Sequence, residues 1–580
     1  MKKEIKKKWV LKTGEAKLPP FLKEYPPLVG RFFLNRGFKS KKEIENFLNP
    51  VFEENLHSPS SLSGLKEGVK RIGKAIAKKE RITIFGDYDA DGVCGAAILE
   101  TVLRKLGAVV GPVYIPDRYK EGYGLNEKAI RQIAGEGTKL IITVDCGVAN
   151  FKEVVLANEL GLAVVITDHH QAPEILPPAL ALINPHQKGD KYPFKDLAGA
   201  GVAFKLAHAL LEEFKVPRHL NFLKWQLDLV ALATAADCVP LKGENRVLVK
   251  YGLLTMAQTK NVGLKALFEV ARICPTFNSS ELCTNLNVFS LSFSLAPRIN
   301  AAGRMDHANM AYELLMTESR TEAKWLAERL EQKNKERQSE TEKMIKRIEK
   351  EIVDKREEPF VCEGGVNFIP GIVGLAAGKI ADKYFKPAVI FGESDGVIHG
   401  SVRGVKGFNV MNALRPAGSL FLNYGGHPAA AGFSMLSENL EEFKKVFKDG
   451  VLSQKTSLPE PSLEIDDRIE LSRRQKTNEI WASLRLAAPF GQGNEEPIFL
   501  AENLKVANLK LVGNGNGHLK LELEGVGENP DLFEAIGFSL GSRAGEIKIG
   551  DKLDVVFKFL EDEWNGVKKL SLKLVDFKKN

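Results

Sequence analysis

Four brief apolar runs constrain the first half of this chain more than any other feature. RITIFG (81–86), VVGPVYIP (109–116), KLIITVD (139–145) and LAVVITD (162–168) are β-rich and bounded by Gly, Asp or Pro, as buried parallel strands are. Helical patterns separate them from about residue 68 to 240, so the region reads as βαβ units around a parallel sheet. In an open α/β sheet, ligand-binding groups gather beyond the carboxyl ends of the strands. Three of these ends carry chemistry here: GDYDADG (86–92), Asp145, and Asp168-His169-His170.

GDYDADG alone has three readings. A calcium loop needs ligands at positions 1, 3 and 5, glycine at 6 and a glutamate at 12. Asp87, Asp89, Asp91 and Gly92 match, but position 12 is Ile98, and RITIF reads as a strand where an EF-hand needs a helix. An aspartyl phosphotransferase also places D-x-D after a strand, yet Asp91 would repel a phosphoenzyme's phosphate. The metal reading draws on the other strand ends. One aspartate after a strand is usually a helix cap, but three ends presenting carboxylates and imidazoles on one side of a sheet are poorly explained by capping. Such a donor set suits Mn²⁺ or Mg²⁺ over Zn²⁺. Asp237, ending DLVALATAAD, is a further contributor, although alone it would read as a helix-end residue.

At 580 residues the chain is long enough for three or four domains. A net charge of +8 permits an anionic partner without requiring one. Six cysteines without a C-x-x-C pair argue against a zinc knuckle or a disulfide framework, and Cys94, Cys146 and Cys238 read as small buried fillers. MKKEIKKKWVLK lacks the apolar stretch of a signal peptide, and no apolar run reaches the length of a spanning helix. The expectation is a cytoplasmic protein away from membranes.

Residues 1–60, basic and aromatic, read as a packing arm, and 61–319 as the sheet domain. Residues 320–357, without Gly or Pro, predict a long helix bridging two domains. A second, smaller α/β unit follows over 358–455. The last part, 456–580, contains NLKVANLKLVG, HLKLELEG, LFEAIGFSL, KLDVVFKFL and VKKLSLKLVDF, about five antiparallel strands that suit an OB-like barrel, with a β-sandwich as the alternative.

Asp168-His169-His170, with D-x-D upstream and lone aspartates between and after, resembles the DHH phosphoesterase superfamily. APRINAAGRM (296–305), SVRG (401–404), GGHPAAAGF (425–433) and APFGQGNEEPIF (488–499), in that order and ending in a barrel, resemble the RecJ-type single-strand-specific exonucleases over about residues 70–575. The resemblance implies a 5′-to-3′ exonuclease on single-stranded DNA, in repair and recombination, with two Mn²⁺ or Mg²⁺ ions about 3.5–4 Å apart. It implies a monomer whose partners include a single-strand-binding protein or a helicase. By the family pattern the ligands are Asp89, Asp91, Asp145, His169 and Asp237, with Asp145 the bridge. His170 acts on the phosphate or from behind the ligands, and Asp168 orients the histidine pair. Asp87 has two readings, a ligand or a group holding a water or the loop. One departure is Phe85: smaller DHH enzymes, such as the family II pyrophosphatases, have histidine there, which implies that one ion is held less well or is bound only together with the substrate.

The other motifs read as phosphate and strand contacts. Ser401 and Arg403 of SVRG offer a hydroxyl and a guanidinium for a terminal phosphate. Gly425, Gly426 and His427 bring flexible backbone and an imidazole to an anion, and the resemblance assigns Arg298 and Arg304 to phosphates. RYKEGYG (118–124) sets Arg118, Tyr119 and Tyr123 in a loop where aromatics between cations can stack on unpaired bases. The rivals are a small-substrate DHH phosphatase or oligoribonuclease, which generally lacks a terminal barrel, and a non-catalytic single-strand-binding relative, in which metal ligands would have decayed.

Overall fold

The strand Arg81–Gly86 lies second in a five-stranded sheet ordered Val109–Val110, Arg81–Gly86, Thr138–Val144, Ala163–Thr167, Ala181–Ile183, every pair parallel. In chain order this is 2-1-3-4-5. The winding reverses between Arg81–Gly86 and Thr138–Val144, and a crevice opens where their carboxyl ends part. The structure, a computed structural model, describes residues 7–14, 16–118, 120–274, 286–355, 357–454, 460–564 and 567–580.

Strand alternation sends Ile82, Ile84, Leu140, Ile142 and Val144 into one apolar layer and Phe85, Ile141, Val164 and Ile166 into the other. Helices Leu65–Ala77, Ala90–Lys105 and Gly199–Glu213 cover the first face, and Glu127–Gly135 and Phe151–Glu159 cover the second. Two expectations need correction. VVGPVYIP forms a strand only over Val109–Val110 and touches the sheet again at Tyr114, because Gly111 and Pro112 interrupt the ladder. Ala181–Ile183, hidden among prolines, is a fifth strand.

Helix Arg320–Glu351 bridges two cores. Ala323, Leu326, Ala327 and Leu330 pack into the sheet domain, whereas Met344 and Ile348 join Ile372 and Val373 in the next one. That domain carries a mixed five-stranded sheet, ordered Phe421–His427, Ala430–Leu436, Val397–Arg403, Ala388–Ser394, Val361–Gly365, with its last pair parallel.

The five terminal strands close on themselves, Phe499–Val512 pairing with both His518–Glu524 and Lys552–Trp564. Leu519, Leu521 and Leu523 point inward and their polar neighbours outward. The interior is shared with the amino-terminal arm: Leu22, Val29, Phe32, Phe33 and Ile44 pack among Leu504, Leu521 and Phe557. Strand Lys8–Leu11 runs parallel to Ser462–Ile465. Buried Arg246, on helix Gly243–Ala257 of the sheet domain, donates to the Phe47, Ala488 and Pro489 carbonyls and so ties arm and barrel to the first domain. No helix among the described residues is long and apolar enough to cross a membrane.

Candidate metal centre

The crevice is lined from both of its strands. Beyond Arg81–Gly86 the chain turns through Asp87 into helix Ala90–Lys105, and Asp89 caps that helix by accepting from the Asp91 and Gly92 N–H groups. Gly92 is required, since a Cβ there would lie 2.6 Å from the Asp87 nitrogen. Across the crevice Asp145 takes a left-handed conformation (φ 61°) immediately after Thr138–Val144, which turns its carboxyl back over the strand ends. Asp91 receives the Gly199 N–H at 2.6 Å and the Ala200 N–H at 2.8 Å from the first turn of helix Gly199–Glu213.

His169 gathers these carboxylates. Its Nε2 lies 3.1 Å from Asp145 Oδ1, 3.7 Å from Asp237 Oδ2 and 3.9 Å from Asp91 Oδ2. Donor atoms of Asp87, Asp89 and Asp145 come within 4.8 Å of one another, as do those of Asp91, His169 and Asp237. Oδ1 of Asp87 and Oδ1 of Asp145 are buried with no hydrogen-bond donor. Burial, followed by the His170 charge, lowers His169 to about 4, so the ring is neutral. Neutral His169 therefore sets its Nε2 against Asp145 Oδ1 across 3.1 Å. Buried acceptors without donors, convergent with a neutral imidazole, fit a divalent cation.

The field has the same origin. Burial and then the Asp89 charge push Asp91 up to about 7 and Asp87 well above the carboxylate range. Burial and then Asp91 push Asp237 up to about 9 and Asp145 well up. Asp168 behaves oppositely: burial would raise it, but the His170 hydrogen bond, with the His170 charge and backbone N–H groups, holds it down. It accepts from the Val148, His169 and His170 N–H groups and lies 2.8 Å from His170 Nδ1. Burial opposes the charge on His170, but the Asp168 bond outweighs it and raises the imidazole to about 9.

Several participants have no obvious sequence signal. The Gly199 and Ala200 N–H groups come from AGAGVAF, a stretch of small residues like any tight packing site. Asn300, within APRINAAGRM, accepts the Ala90 N–H at 2.7 Å and pins the aspartate loop from another helix. Tyr123 does not stand free in its loop: its hydroxyl donates to the Asp145 carbonyl at 2.9 Å and lies 3.0 Å from His170 Nδ1. Phe85, where histidine was the family alternative, turns away from the crevice and stacks on Tyr114 at 5.3 Å. Cys238 is exposed, not a buried filler, because it turns out (φ 58°) at the helix end that aims Asp237.

The expected phosphate contacts divide. Arg403 donates to Ser401 Oγ at 2.6 Å beside Gly374, where a Cβ would lie 2.9 Å from the guanidinium. Burial and then the Arg118 charge lower Arg403, and the Arg118 charge also acts on Asp87, so the field of Arg118 reaches both domains. Its guanidinium lies 4.6 Å from the Tyr88 ring centre. Arg304 donates to the Gly371 carbonyl of the second domain. Arg298 pairs with Glu331 of the long helix at 2.7 Å, which ties that guanidinium to a helix–helix contact. Gly425, Gly426 and His427 lie on the exposed edge strand Phe421–His427, and Tyr119 falls outside the described residues.

Family models match in the same order as these domains: the DHH family, N-terminal domain, over 81–234, the DHHA1 domain over 358–451, and the RecJ OB domain over 465–576. The single-stranded-DNA-specific exonuclease RecJ of Bacillus subtilis (strain 168) is 37% identical over 559 residues, 95% of this chain and 68% of its own. Among solved structures, RecJ from Thermus thermophilus in complex with Mn²⁺ aligns at a TM-score of 0.82 and 29% identity, over 100% of this chain and 80% of that one. The same protein in complex with Mg²⁺ aligns at 0.76 and 28%, over 99% and 78%.

Proposed function

This chain belongs to the RecJ family of single-stranded-DNA-specific exonucleases, and from that premise we propose that it degrades single-stranded DNA from the 5′ end by divalent-metal-dependent phosphodiester hydrolysis. The observation that carries the reading is the pair of buried, donorless oxygens on Asp87 and Asp145 converging with neutral His169 at the switch point of the sheet. Asp87, Asp89 and Asp145 would hold one ion and Asp91, His169 and Asp237 a second, with Asp145 shared. Asp87 then occupies the place left by Phe85. When bound, the ions supply Lewis-acid charge that lowers the pKa of a water and stabilises the leaving oxygen.

The chain's own residues do the rest. Asp168 and the Tyr123 hydroxyl engage His170 at Nδ1, and its Nε2 serves as the donor toward a phosphate oxygen or the leaving group. Arg118, whose charge acts on both Asp87 and Arg403, neutralises the phosphate between the two domains. The closed barrel offers the strand a sequence-tolerant platform.

The test is a digestion of 5′- and 3′-labelled single- and double-stranded DNA with Mn²⁺ or Mg²⁺. Early release of the 5′ label as mononucleotide from single strands supports the reading. Asp145→Ala should abolish that release while leaving the fold intact. Cleavage that persists in Asp145→Ala, or that requires no metal, overturns it.

A further inference from the structure

Among the described residues, five phenylalanines are exposed: Phe151, Phe214, Phe289, Phe293 and Phe538. Two of them flank one lysine, and a third pairs with one of those two. Phe289 and Phe293, 63% and 67% exposed, pair with ring centres 4.8 Å apart on the sheet domain. Phe538, 46% exposed, belongs to the barrel. Lys573 Nζ, on strand Val567–Lys579, lies 6.0 Å from the Phe289 ring centre and 5.7 Å from that of Phe538. His518 approaches Phe538 edge-on at 5.3 Å.

The segment is built to show these rings. Val288, Leu291 and Leu295 anchor its other side in the core, and Asn287 and Ser290 form a capping box at its start. Leu291–Leu295 winds as a π-turn, a wider turn often found at functional sites. The backbone runs on into helix Ala296–Met305, whose Asn300 pins the aspartate loop. Ser292 donates to the Ala235 carbonyl, in the last turn before Asp237. The segment that shows the rings is therefore tied by the Ser292 and Asn300 side chains to both sides of the metal centre, and Phe289 faces the barrel across a cation.

We propose that Phe289, Phe293 and Phe538, with Lys573 between them, form a seat on which unpaired bases stack as single-stranded DNA crosses from the barrel to the metal centre. The proposal rests on the single-strand reading above. Flat rings accept any base, and a lysine between them meets the phosphate that links successive bases. An apolar peptide is the other occupant such rings could take, but a cation set between aromatics favours a polyanion that carries its own rings.

The test is equilibrium binding of a fluorescent 20-nucleotide single strand to the full chain in EDTA, so that nothing is cut. Phe289→Ala with Phe293→Ala, and Phe538→Ala separately, should each weaken binding at least about fivefold. Phe293→Trp should restore binding to Phe293→Ala, and a strand with abasic sites should bind the wild type as weakly as the alanine variants bind normal DNA. The alanine variants should keep the salt dependence of the wild type, whereas Lys573→Ala should flatten it. Unchanged affinity in the alanine variants, or equal affinity for the abasic strand, overturns the seat. If the wild type itself fails to retain single strands, it is the single-strand reading that fails.

Discussion

Gly199 donates its N–H to Asp91 at 2.6 Å, and a Cβ on the same residue would lie 2.6 Å from Asp145 Oδ1. A helix amino-terminus thus holds one carboxylate while a second passes over it at a distance that only glycine allows. Gly199→Ala should displace Asp145, lower Mn²⁺ affinity about 10- to 100-fold and cost about 1–3 kcal/mol of stability. Calorimetric Mn²⁺ titration beside a denaturant curve measures both. Unchanged affinity would mean that Asp145 is not set by this contact.

Asp168→Asn keeps the size of the side chain but cannot accept from all four of its present donors. Loss of about 1–3 kcal/mol is expected from the orphaned donor, with a fall in turnover of about 10- to 100-fold. The sign of the pH effect follows from the partner: Asp168 raises His170 to about 9, so its neutralisation moves that group down toward an ordinary imidazole. The alkaline limb of the pH–rate profile should move to lower pH. A limb that stays in place would remove His170 from the proton-bearing step.

Metal and protons compete for the same oxygens. Asp91 at about 7 and Asp237 at about 9 lie above their ordinary values, so the metal-free folded protein keeps protons that the unfolded chain has released. Its stability therefore falls as pH rises from about 4 toward 9. Mn²⁺ binding displaces those protons and adds about 2.7 kcal/mol at a hundredfold excess over Kd. Melting with Mn²⁺ and with EDTA across the window from about pH 5.5 to 8.5 should show a metal-dependent gain that grows with pH. A constant gain would contradict the proton inventory.

Asp228, in the first turn of the helix that ends at Asp237, is buried and raised to about 6 mainly by burial, against hydrogen bonds from Thr259 Oγ1 and the Leu229 N–H. A carboxyl with a raised folded pKa stabilises least when ionised, so its cost appears as pH rises through about 6. Asp228→Asn keeps both partners within reach and should stabilise the protein by up to about 3 kcal/mol near pH 8. Near pH 4 it should do almost nothing. Chemical denaturation at the two pH values decides it.

The convergence of these carboxylates and imidazoles was legible because its signals are local. A buried strand, a glycine-rich turn and an acidic or imidazole side chain follow one another at 81–92, 138–145 and 163–170, and parallel pairing brings those ends together. The barrel was legible from period-two runs such as His518–Glu524. What lay hidden is contact without periodicity. Gly199 contributes an N–H, which every residue but proline possesses. Asn300 caps a helix that begins 210 positions earlier. Arg298 has the composition of a phosphate contact and the position of a partner for Glu331. Ala181–Ile183 is three residues long, too short for any pattern.

Phe32 and Phe33 bury their rings among residues 469–577, at the far end of the chain. On a ribosome, the arm emerges before the sheet domain and its barrel neighbours after it. At about 5–20 residues per second, those aromatic rings wait roughly 20–100 s for a surface to bury against. By then the sheet domain, whose contacts are sequentially near, has had time to form. Synthesis thus leaves the sheet domain time to fold while the apolar arm that precedes it is still unsatisfied, and the arm settles only once the barrel strands have been made.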